Sequence, residues 1–157
     1  MSGQTFSHVV QIGIVVDDAE AAAHRYRDLC GIDGWNVNDV DTDRGVGSDF
    51  RLRGRPVPTR AKIVWARLGD VELELIEPQD SSSVYAEFLR DHGPGVHHVM
   101  LAADFDAAGD TFSEAGFALL AEGELQGGRF RLYDAQQALG MIIEIAEGET
   151  LTPDRPL

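Results

Sequence analysis

One order of segments runs twice through this chain: an apolar strand, a helix, then three more strands. Residues 8–16, HVVQIGIVV, are short, β-branched and bounded by Asp17-Asp18, as a buried strand should be. Asp18 is placed to cap the helix AEAAAHRYRDLC, which stops at Gly31, a residue free to turn left-handed. Its apolar positions Ala19, Ala22, Ala23, Tyr26, Leu29 and Cys30 recur at helical spacing. Residues 35–40 predict a second strand. Residues 41–60, rich in Gly, Pro, Asp and Arg, predict a long irregular connection. Residues 61–68 and 71–77 then form a hairpin around Gly69-Asp70. A short helix over 81–91 leads to Gly93-Pro94-Gly95, where the order restarts. The second round has a strand at 97–103, a helix at 105–115 closed by Gly116, and strands at 117–121, 129–133 and 140–146.

A chain of 157 residues makes one domain, or two small halves sharing a core. We place module one at about 6–78, a linking helix at about 81–92 and module two at about 95–148, within one domain over 1–157. Two copies are too few for a solenoid. They pair instead into one shared sheet, giving an α+β fold of two tandem β-α-β-β-β modules in a curved, incomplete barrel-like mixed sheet.

The net charge of -14 argues against nucleic acids and anionic membranes, which require basic faces. No apolar run reaches membrane-spanning length, and MSGQTFSH lacks the basic and apolar stretches of a secretory leader. The single cysteine, Cys30, cannot form an internal disulfide, which fits a reducing cytoplasm, and it reads as a packing residue. Seven of the thirteen basic residues lie close together: Arg44, Arg51, Arg53, Arg55, Arg60, Lys62 and Arg67. They either balance an acidic surface or form a site for a small anionic molecule.

Laying the two rounds over each other puts Gln11 against His98 and Glu74 against Glu144. Side chains alternate faces along a strand, so only one of His97 and His98 can point with the inner set; the overlay selects His98. A lone strand histidine is most often a satisfied core residue, and Glu74 beside Glu72 could face solvent. Glu144, inside MIIEI, is the least comfortable bystander, because burying its charge alone is costly. One imidazole, two carboxylates and an amide oxygen are a donor set for a divalent ion with open positions: Mg, Mn, Co, Ni, or Zn with expanded coordination.

The doubled order, together with QIGIVVDDAEAAAHRYRD, ELELIEP and GVHHVML, resembles the vicinal-oxygen-chelate superfamily across nearly the whole chain. That group includes glyoxalase I, bleomycin- and fosfomycin-resistance proteins, extradiol dioxygenases and methylmalonyl-CoA epimerase. The likeness is greatest to epimerase-type and glyoxalase-like members, and ELIEPQDSSSVYAEFLRDHGPGVHHVML is its strongest stretch. The resemblance implies a metal held by Gln11, Glu74, His98 and Glu144, with Glu144 able to act as the base. It implies an isomerase, epimerase or lyase that stabilises the enolate of a small anionic carbonyl substrate, such as an acyl-CoA. Two alternatives follow from it: a glutathione-dependent glyoxalase I-type lyase, and a metal-free protein sequestering an antibiotic-like molecule among Trp35, Phe50, Trp65 and Tyr133. A homodimer is also expected. Two departures stand out. Only one ligand histidine remains, which argues against an extradiol dioxygenase. The second acid/base glutamate of the epimerases has no counterpart in GSDFRLRGRP, where Asp49 is the nearest carboxylate and is not assigned.

Overall fold

The computed structural model of this chain describes residues 5–148 and 151–157; residues 1–4, which open the segment read above for a leader, lie outside that range. Strand β1 (Phe6–Val15) leads into helix α1 (Ala19–Cys30). The Asp18 carboxylate accepts from the Ala21 N–H at one end, and Gly31 closes the other at φ 69°. Strands β2 (Asn36–Asp41), β3 (Ser48–Leu52), β4 (Arg55–Pro56), β5 (Arg60–Leu68) and β6 (Val71–Pro78) follow. Helix α2 (Val84–His92), capped by Ser83, precedes β7 (Gly95–Ala103), α3 (Phe105–Glu114), β8 (Ala118–Leu125) and β9 (Gly128–Ala135). A single turn α4 (Gln136–Leu139), strand β10 (Met141–Glu147) and the short β11 (Arg155–Pro156) complete the described residues.

All eleven described strands join one curled half-barrel, in the order β11-β2-β5-β6-β1-β7-β10-β9-β8-β3-β4. The sheet is mixed: β1 runs parallel to β6 and β7 parallel to β10, while β1 and β7 meet antiparallel. Both faces of the sheet carry a core. On one, α1 packs Ala19, Ala22 and Ala23 on Trp35, Val37, Val64 and Leu75. Further along, α3 packs Phe105, Ala108 and Phe112 on Tyr133, Ile143 and Ile145. The interior face carries Val40, Phe50, Ile63, Trp65, Leu132 and Ile142, with Val84 and Tyr85 of α2.

Three expectations are corrected. The connection over 41–60 is not irregular: it holds a 3-10 turn (Thr42–Arg44) and the β3–β4 pair. β3 hydrogen-bonds to β8, some 70 positions away in sequence, so no local pattern could announce it. Leu29 and Cys30 do not pack, because the last turn of α1 leaves both exposed. Nor do Trp35 and Tyr133 line a cleft, since they are buried beneath α1 and α3 on the helix-covered face.

Candidate functional site

Four central strands, β6-β1-β7-β10, build the site by their register. One row across them aligns Glu72, Gln11, Met100 and Glu144; the next aligns Glu74, Gly13, His98 and Ile142. Residues two apart on a strand share a face, so both rows look into the half-barrel. There they border a cavity of about 350 Å³ whose wall includes Gln11, Glu72, Glu74, Tyr85, Glu144 and Phe50.

The geometry centres on His98, which is fully buried. Its Nε2 lies 2.8 Å from Glu144 Oε2, 3.3 Å from Gln11 Oε1 and 3.5 Å from Glu74 Oε2. To reach Glu74 the imidazole crosses β1 directly over Gly13. A Cβ there would sit 2.1 Å from His98 Cε1 and 2.3 Å from Nε2, so the bare backbone is what admits the ring. The orientation of Gln11 is fixed by its other neighbour. Its Nε2 donates to Glu72 Oε1 at 2.7 Å, and a carboxylate only accepts, so the amide oxygen must face His98.

His97 points elsewhere, edge-on to the rings of Tyr85 and Phe88 of α2. Its Nδ1 lies 3.1 Å from His98 Nδ1. Burial, then the charges of His98 and His92, lower His97 to about 3, so its ring is neutral. His98 directs Nε2 at the carboxylates. Burial disfavours the His98 imidazolium, but the charge and hydrogen bond of Glu144, with those of Glu74, override it and raise the ring to about 10. Burial also raises Glu74, partly offset by His98. Tyr85 is pushed well above its usual range by burial, then by Glu144 and Glu74, so its hydroxyl stays a donor.

The four residues expected from the sequence thus come together around one nitrogen. Among the described residues, no three His, Cys, Asp or Glu side chains are spread as a ready metal cage. One of the donors is an amide, and both carboxylates rest on the imidazole itself. The basic cluster divides differently. Arg44 and Arg60 lie against Asp41, Arg53 against Glu87, and Lys62 against Glu20. Of the seven, Arg67 alone borders the cavity, and it belongs to β5, not to the connection. Asp49 is exposed on β3 at φ 53° and does not border the cavity. The carboxylate that sequence reasoning passed over is Glu72, buried beside Gln11.

A half-barrel of this topology with a polar cluster at its centre defines a class, and the chain belongs to it. Residues 10–133 match the Glyoxalase/Bleomycin resistance protein/Dioxygenase superfamily. Within that class the chain is 30% identical over 115 residues to an ethylmalonyl-CoA/methylmalonyl-CoA epimerase of Cereibacter sphaeroides, covering 72% of this chain and 74% of the relative. Its fold is similar to the methylmalonyl-CoA epimerase of Mycobacterium tuberculosis, with TM-score 0.67 and 22% identity over 96% of this chain and 93% of that one. A variant of the Streptomyces coelicolor methylmalonyl-CoA epimerase in complex with 2-nitronate-propionyl-CoA gives 0.66 and 21%, over 92% and 99%.

Proposed function

We propose that this protein is a divalent-metal-dependent acyl-CoA epimerase that inverts the α-carbon of a small anionic thioester. The observation that carries the reading is the convergence of Gln11, Glu74 and Glu144 on His98 Nε2 at the wall of a cavity, in a chain related to epimerases. Ligands at about 2.1 Å from a small divalent ion stand about 3 Å apart when adjacent in an octahedron. The separations of 2.8, 3.3 and 3.5 Å from Nε2 fit that edge, so Gln11, Glu74, His98 and Glu144 would hold the ion. When bound, it supplies Lewis-acid stabilisation of negative charge developing on the substrate's oxygens.

The chain's own residues supply the rest. Glu144 is the base, with a carboxylate at the cavity wall to take the α-proton. The Tyr85 hydroxyl remains a donor to a substrate oxygen. Phe50, Phe130 and Leu125 make an apolar wall that keeps water from the carbanion. Arg67 gives the cavity a positive group for the anionic end of the substrate. Neither the glyoxalase nor the sequestering alternative has a comparable observation in its favour, and two of the four aromatics of the latter, Trp35 and Tyr133, lie on the wrong face.

The test is uptake of deuterium from D2O at the α-carbon of methylmalonyl-CoA. Exchange should need a divalent ion, stop on chelation and return on adding the ion back. In Glu144→Gln it should fall by about 10²–10⁴-fold. Exchange at the parental rate in that variant would remove Glu144 as the base; no exchange with any of the five ions would remove the epimerase reading.

A further inference from the structure

Inversion at a carbon needs a proton taken from one face and another delivered to the opposite face. Glu144 borders the cavity, and the candidate for a second proton carrier is another carboxylate on its wall. Glu72 is 8% exposed and borders the cavity. Its Oε1 accepts from Gln11. Among the described residues, no hydrogen bond or ion pair engages Oε2, yet no buried side-chain polar atom lacks a partner. Oε2 therefore opens onto the cavity. Glu72 and Glu144 end the same row of the sheet, with Gln11 and Met100 between them. Three strand spacings separate their backbones by about 14 Å along the sheet, and the curl turns both carboxyl groups toward the same space.

We propose that Glu72 is the second acid/base residue of this site, working on the face of the α-carbon opposite Glu144; this rests on the epimerase reading above. In one direction the α-C–H bond breaks, its proton goes to the Glu144 carboxylate and its electron pair moves into the thioester carbonyl. The pair then returns to carbon, which takes the proton of the Glu72 carboxyl group as that O–H bond breaks. The product is inverted, Glu144 is left protonated and Glu72 ionised, and exchange with solvent or the reverse reaction resets them. Glu72 suits the task because its carboxyl group is buried at the cavity wall, with one oxygen held by Gln11.

Glu72 also aims the Gln11 amide, so the test must separate the two roles. In Glu72→Gln the new amide oxygen can still accept from Gln11, whereas Glu72→Ala removes both functions. Each methylmalonyl-CoA stereoisomer is incubated with metal-loaded protein in D2O; α-deuterium and configuration are followed separately, and Co²⁺ uptake is titrated. For Glu72→Gln we expect Co²⁺ affinity within about threefold of the parent. The stereoisomer whose proton faces Glu144 should still exchange within about tenfold of the parental rate, and inversion of either isomer should fall at least 100-fold. Glu72→Ala should lose Co²⁺ affinity as well. Parental inversion in Glu72→Gln overturns the inference, as does an equal fall of exchange and inversion with both isomers. If the parent protein itself neither exchanges nor inverts, the epimerase reading fails first and the role of Glu72 falls with it.

Discussion

Gly13 matters to the site as much as the side chains that meet there, because the imidazole of His98 occupies the space its Cβ would take. Gly13→Ala forces the ring off β1 or the strand away from β7. We expect a loss of about 1–3 kcal/mol in stability, typical of overpacking a tight interior, and a larger proportional loss of Co²⁺ affinity. Chemical denaturation and metal titration measure the two; unchanged metal affinity would show that His98 does not bind through this position. Nothing in QIGIVV marks the glycine, since its role depends on a ring from a strand 85 positions later. Glu72 and Glu74 were obscured for a related reason. ELELIE alternates as a strand with one wet face would, and that pattern sends the glutamates to solvent. Here both faces are covered: Leu73 and Leu75 pack under α1, while the glutamates face the cavity. Alternation tells which residues share a face; it does not tell which face is outside.

Among the elements, the short β11 is held by more than its pairing with β2. Glu20, in the first turn of α1, takes Arg155 at 2.6 Å and Lys62 of β5 at 3.1 Å. Hydrogen bonds from Arg155 and then Lys62 hold Glu20 below its ordinary 4.5. Its hydrogen bond to Glu20, with the charges of Glu20, Glu77 and Asp39, raises Lys62 above 10.5 against the cost of burial. The signs give a window. The Glu20 contribution is complete above about pH 4.5 and disappears as pH falls through its depressed value. The Lys62 contribution is complete below about 10.5 and disappears as pH rises through its raised value. Glu20→Gln should therefore lower the melting temperature at pH 7 and converge with the parent at acid pH. The effect should be at most about 1 kcal/mol, because the groups are partly solvated. A difference that persists undiminished below the depressed value of Glu20 would point to packing instead of charge. The boundaries of α1 and the hairpin were readable because caps and turns are local chemistry. The pairing of β3 with β8 was not, because its partner is distant in sequence.

At the scale of the molecule, both edges of the sheet end in an Arg-Pro pair, Arg55–Pro56 and Arg155–Pro156. Proline has no N–H to offer a further strand at these positions. No helix among the described residues is long and apolar enough to cross a membrane. A metal that joins β1, β6, β7 and β10 would bind the folded chain and not the unfolded one. At 100 times its dissociation constant it would add about 2.7 kcal/mol, or roughly 5–10 °C in melting temperature for a chain of this size. Thermal unfolding with and without Mn²⁺ or Co²⁺ after chelation measures this, and an unchanged melting point would argue against a site between these strands. Outside residues 41–60, the residue order alone specified the succession of main strands and helices, the two caps of α1 and the hairpin turn, and it singled out four polar positions by repetition. Those properties rest on contacts within a few residues or on periodicity. Folding in three dimensions decided that three of the four groups meet at the imidazole nitrogen of the fourth, that Gly13 makes room for it, that Glu72 faces the cavity and that Trp35 and Tyr133 do not. Each of these depends on the register of strands distant in sequence and on which side of the sheet the helices cover.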